Sequence, residues 1–148
     1  MRLTHLLRRL SPLRVRDVHA HCDIPCGIYD PEQARIEAES CLKIVQKYHD
    51  SDDEVFRDRC RIVKEERAQL AKHHISVLWS DYYKPDAHDG DFPHIADTFL
   101  QAAKACSSVK RSMDEADAKR LLDLIDEIDE FWKKTGGPND TRVAGRPG

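Results

Sequence analysis

The sequence predicts an all-α protein, an antiparallel four-helix bundle. Three observations lead there. Glycine (6) and proline (7) are sparse among the 148 residues, and most prolines stand at segment ends. Four stretches carry apolar residues at three- and four-residue spacing, the period of one helix face. No stretch alternates in the manner of a strand, and most breaks between the four are short, which favours antiparallel neighbours. The length fits one domain. With 40% hydrophobic and 34% charged residues, it has material for one core under a heavily solvated surface.

The first helix is expected from Asp30, which can N-cap, with Pro31 at the first helical position and Gln33 at the capping-box position. Ala34, Ala38, Cys41, Leu42, Val45 and Tyr48 form its apolar face. The polar run HDSDDE breaks it at 49–54. A second, longer helix carries Phe56, Cys60, Val63, Leu70, His74 and Leu78 on a near-heptad stripe, with Arg67 in line, and runs to about Tyr82. YKPDAHDGDFP (83–93) reads as a loop. The third helix covers roughly 93–111, with Ile95, Phe99, Leu100, Ala103 and Cys106 on one face. Ser112 and Glu115 make a capping box for the fourth, whose stripe is Ala118, Leu121, Leu122, Ile125, Ile128 and Trp132. The expected organisation is a leader at 1–20, a bundle at 21–135 and a flexible tail at 136–148. Apolar residues around HHISVLW (73–79) exceed what one bundle needs, so an assembly larger than a monomer is expected.

Charge and cysteine usage bound the function. Of 24 basic and 27 acidic residues, five Arg and one Asp fall in 1–20; the remainder holds 19 basic and 26 acidic residues. That balance argues against broad nucleic-acid binding, and no apolar run is long enough for a membrane span. The Arg-rich 1–20 stretch lacks the continuous apolar centre of a secretory signal. It reads as a short processed leader, a transit-like peptide or a plain basic tail. Five cysteines (22, 26, 41, 60 and 106) are an odd set without a disulfide framework. They suit a reducing, cytoplasmic setting, with organelle targeting left open by the leader. Cys41, Cys60 and Cys106 lie on apolar stripes as core thiols.

The remaining pair sits in HCDIPCGIYDP (21–31), where one histidine and two cysteines fall within six residues. Thiolates are soft donors and imidazole is intermediate, so Asp23 need not bind a metal. A Cys-x3-Cys pair with one His falls short of a structural zinc site, and His73, His74, His88 and His94 show no spacing that completes one. A chain that began at His21 would offer more. Its α-amine and the deprotonated Cys22 amide form one five-membered chelate, and that amide and the Cys22 thiolate form a second. Cys26 returns through the turn as a fourth donor. A planar set of two nitrogens and two thiolates suits Ni(II) or Cu(II) rather than zinc, with the His21 imidazole as an optional axial ligand. Pro25 restricts the turn and Gly27 permits a close backbone approach.

HCDIPCGIYDP resembles the nickel hook of the nickel-containing superoxide dismutases. The resemblance extends through ARIEAES (34–40), KEERAQLAKHHISVLWSDYYKP (64–85) and EIDEFW (127–132). It implies a four-helix bundle with an N-terminal metal-binding hook, assembled as a homohexamer, with one nickel ion per subunit and a leader removed by a protease to expose His21. It implies metal ligation by His21, Cys22 and Cys26, and disproportionation of the superoxide anion by Ni(III)/Ni(II) cycling. Tyr29 would gate the open metal face, Asp23 order the hook, and Tyr82 and Lys84 line the approach. Glu37 and Arg67 would hold the His21 imidazole. Ile24 and Ile28 depart from the family pattern conservatively, and the C-terminal tail is extra. Read without the resemblance, Tyr29 is a hydrophobic staple, Lys84 a loop lysine, and Glu37–Arg67 an interhelical ion pair. A nickel- or copper-binding helical protein without turnover is the alternative function, and a helical interaction module with a dead hook is a further one.

Overall fold

A computed structural model describes residues 28–136. The described residues contain no strand. Four long helices, α1 (Glu32–His49), α2 (Glu54–Val77), α4 (Ile95–Arg111) and α5 (Glu115–Lys134), form the bundle, and a single turn, α3 (Pro85–His88), lies between α2 and α4. α1 packs on α2, α2 on α4, α4 on α5, and α5 closes on α1. Each long helix therefore lies beside its neighbours in sequence, and the four-residue link 50–53 forces α1 and α2 antiparallel.

Aspartates start three of the helices. Asp30 Oδ1 accepts from the Glu32 amide at 2.8 Å. Asp53 accepts from Val55 at 2.9 Å and Phe56 at 3.3 Å, and Asp114 from Ala116 at 2.9 Å. Each satisfies an amide that has no partner within its helix. The start of α5 corrects the expected Ser112–Glu115 box: Asp114 is the cap, and the Ser112 hydroxyl donates to Asp117 instead. The expected loop 83–93 holds the α3 turn, which Pro85 opens without losing an amide bond.

The face of α1 follows expectation: Ala34, Ala38, Cys41, Val45 and Tyr48 are buried, and Leu42 packs partly against the core. The face of α2 is rotated by one position. Its buried residues are Cys60, Lys64, Ala68, Ala71 and Ile75; Cys60, and Leu78 just past its end, are buried as expected. Phe56 is 39% exposed, and Val63, Arg67, Leu70 and His74 flank the core half-buried. Leu100 on α4, expected inside, is 37% exposed, whereas Ala102, Ala105 and Val109 are buried. On α5, Leu124 and Phe131 join the expected stripe, and Leu122 packs at its edge.

The position that rotates α2 is Lys64, 2% exposed. Its Nζ donates to the carbonyls of Val109 and Ser112, and to Lys110 at 3.2 Å. These carbonyls lie at the end of α4, where the helix supplies no amide for them. Lys64 thus caps α4 from inside the bundle, and its own carbonyl accepts from the Cys41 thiol at 3.6 Å.

Cys41, Cys60 and Cys106 are free and buried, as expected. Burial pushes the Cys41 and Cys106 thiols from 9.0 up to about 12. The fold holds these groups neutral while an unfolded chain ionises them near their ordinary value, so the native state binds more protons in between. Their contribution to stability is whole below about pH 9 and is lost as pH rises toward 12. Urea unfolding across that window is expected to show a steep loss of stability, shallower in Cys41→Ala and in Cys106→Ala. Parallel curves for parent and variants would refute the assignment.

Candidate functional site

The start of α1 places Tyr29. The residue precedes the Asp30 cap, so the helix fixes where its backbone enters, and its ring is half-buried against the core. Its centroid lies 5.8 Å from that of Tyr82, tilted by 51°. Two residues expected to share a site are therefore in contact across the bundle.

Tyr82 reaches that position through an irregularity at the end of α2. Residues Leu78–Tyr82 form a π-helical turn, closed by the Tyr83 amide donating to Leu78 O at 2.9 Å. A π turn inserts a residue into the helical repeat and re-aims the side chains beyond it. Tyr83 turns into the core, its hydroxyl donating to Asp89, while Tyr82 faces Tyr29. The Tyr82 hydroxyl lies 2.6 Å from Thr135 Oγ1. Thr135 Oγ1 also lies 2.9 Å from the Phe131 carbonyl, so the two hydroxyls and the end of α5 form one hydrogen-bonded group. The ring is further held edge-on by Phe131, centroids 5.9 Å apart.

Lys84 comes two residues later with an exposed side chain and an extended backbone (φ −133°, ψ 112°) ahead of α3. Glu37 on α1 and Arg67 on α2 form the expected interhelical pair at 3.2 Å. Arg67 Nε is buried and, among the described residues, has no partner. An uncommitted guanidinium donor beside a carboxylate is a fit for an imidazole that needs both a donor and an acceptor to fix it. His74 lies near the same carboxylate: burial lowers its pKa, His73 lowers it further, and Glu37 opposes them.

His21, Cys22, Asp23 and Cys26 lie outside the described residues, as do the expected leader, 1–20, and all of the expected tail after Gly136. Among the described residues, no group of three or more His, Cys, Asp or Glu side chains is placed to hold a metal, so His73, His74, His88 and His94 assemble no site. The set that fits nickel is HCDIPC, whose thiols and nitrogens match its preferences. Two residues that touch Tyr82, Thr135 and His88, are not expected beside it from the sequence. Nothing in the spacing of either marks it, because both act through irregular backbone.

The family model described as nickel-containing superoxide dismutase matches residues 16–135. Superoxide dismutase [Ni] of Streptomyces seoulensis is 49% identical over 129 residues, 86% of this chain and 97% of that protein. Its counterpart from Streptomyces coelicolor is 48% identical over the same shares. Among solved structures, native nickel superoxide dismutase is 48% identical with a TM-score of 0.74, over 78% of this chain and 97% of that one. A crystal structure of Ni-containing superoxide dismutase with ligation corresponding to the oxidized state is 49% identical with the same score and coverage. A match that takes in the hook stretch and all four long helices settles the lineage: this chain belongs to the nickel-containing superoxide dismutase family.

Proposed function

We propose that this chain disproportionates superoxide to dioxygen and hydrogen peroxide with a nickel ion bound by His21, Cys22 and Cys26. The observation that carries this reading is the family match, which includes the complete sequence HCDIPC. Nickel held by two thiolates, an amidate and an amine supplies one-electron redox chemistry between its divalent and trivalent states. The protein's part is positioning. Tyr29 stands over the approach, braced by Tyr82, which the π turn and Thr135 hold in place. Lys84 offers a positive charge to an anionic substrate on a chain that is otherwise net negative. Asp23 orders the hook, and Glu37 with Arg67 holds the His21 imidazole.

The ion requires a free amine at His21, so a protease removes residues 1–20 and the working chain starts at HCDIPC. Native nickel superoxide dismutase is 97% covered by 78% of this chain, a share close to that of 21–135 in 148 residues, which supports the proposed boundaries. The working assembly is a homohexamer in the cytoplasm, with no nucleic-acid or membrane partner. Among the described residues no helix is long and apolar enough to cross a membrane. The apolar surface that supports assembly differs from the one expected: within HHISVLW, Ile75 and Leu78 are buried and Trp79 stacks on Phe99. Val55, Phe56, Ile62 and Leu100 are exposed instead.

Native mass spectrometry combined with a rapid-mixing superoxide assay tests the reading. The expected result is a subunit starting at His21, one nickel per subunit, and second-order removal of superoxide. Stoichiometric nickel on that subunit without turnover would replace this function with metal binding alone.

A further inference from the structure

His88 touches both residues that line the proposed approach, and no part of the proposed chemistry uses it. Its backbone amide donates to the Lys84 carbonyl at 3.0 Å. Its Nδ1 accepts from the Lys84 amide, also at 3.0 Å. One residue thus holds both backbone polar groups of Lys84. The acceptor role leaves the proton of the neutral ring on Nε2. The same imidazole stacks on Tyr82 (centroids 5.9 Å apart, 26° between planes) and meets the Phe131 ring edge-on at 5.1 Å. A four-residue helix has too little hydrogen bonding to fix itself. α3 takes its position from this half-buried ring.

We propose that His88 is a positioning residue for superoxide, fixing the backbone of Lys84 and the ring of Tyr82 through one imidazole. The proposal rests on the proposed function, in which Lys84 and Tyr82 line the approach. It needs no contact between His88 and either nickel or substrate. The exposed Lys84 side chain gains its direction from the backbone beneath it, and directed charge near an entrance raises encounter rates in a salt-dependent way.

Two variants separate the functions of the ring. His88→Phe keeps an aromatic face for Tyr82 but removes the acceptor. His88→Asn keeps an acceptor close to the Nδ1 position and removes the ring. On nickel-loaded, processed protein, with rates expressed per nickel, His88→Phe is expected to lower the low-salt second-order rate about threefold and to flatten its dependence on ionic strength. His88→Asn retains that dependence. Hydrogen exchange at the Lys84 amide accelerates in His88→Phe and stays near parental in His88→Asn, a readout that holds even where a variant loads nickel poorly. In a Lys84→Ala background, His88→Phe should flatten the salt dependence no further. Parental salt dependence in His88→Phe, or unchanged exchange at Lys84, overturns the proposal. Parental salt dependence in Lys84→Ala alone identifies the failure as that of the underlying reading of Lys84.

Discussion

A chain that keeps even one residue before His21 is expected to lose dismutase activity and most of its nickel while retaining its helical content. The reason is a change in one atom. A free chain start offers His21 as an amine, a ready donor, whereas a preceding residue turns that nitrogen into an amide. An amide nitrogen binds a metal only after losing a proton that it holds tightly, and the Cys22 amide must already do so. The bundle is indifferent to the change, because its helices begin at Glu32 and its core is closed by residues of α1 to α5. Circular dichroism, nickel content and superoxide removal, measured on chains starting at His21 and on chains carrying one added alanine, check this. Cys22→Ser and Cys26→Ser should match the extended chain in lost nickel, and Cys60→Ala should not. Full activity in protein whose mass retains residues 1–20 would sink the amine-ligand model.

Lys64→Met is expected to be among the most destabilising single changes in the bundle, at about 3 kcal/mol. Methionine preserves the apolar stem and the volume but none of the donors. The Val109, Lys110 and Ser112 carbonyls then lose their shared partner at the closed end of α4. Thermal unfolding should move down by about 10 °C for a domain of this size. Lys72→Met provides the comparison: it loses one bond, to Ser107 at 3.1 Å on the same pair of helices, and should cost below about 1 kcal/mol. Equal losses in the two variants would mean that water readily replaces the Lys64 ammonium.

The same lysine explains where the sequence could be read and where it could not. α5 puts large apolar side chains on a single face, and α1 keeps Ala34, Ala38, Cys41, Val45 and Tyr48 at unbroken four- and three-residue spacing, so periodicity locates both. α2 builds its buried face from Lys64, Ala68 and Ala71, none of which stands out as hydrophobic, while Val63 and Leu70 beside them do. The visible stripe is therefore one position off the true one. Small residues at a helix contact signal close approach rather than burial of bulk, and a lysine is recognisable as internal only once its three carbonyls are assembled from α4. The π turn leaves no mark either, since a slipped hydrogen bond has no period. Glu37 and Arg67 are legible as a pair because the family resemblance names both, and α1 and α2 bring them to 3.2 Å. The brace behind Tyr82 is not, because Thr135 and His88 reach it from a helix end and a one-turn helix that have no pattern of their own.

The two deeply set thiols, Cys41 and Cys106, have a further consequence for how long a molecule survives in service. The proposed reaction releases hydrogen peroxide inside the same protein that carries five cysteine sulfurs, and peroxide attacks thiolates rather than thiols. With their ionisation displaced to about 12, only about one in 10^5 of these core sulfurs is thiolate at neutral pH. Oxidation there would force a polar, enlarged group into the buried core that Cys41 and Cys106 share. By holding these two sulfurs as thiols, the bundle keeps such oxidation away from the middle of its core.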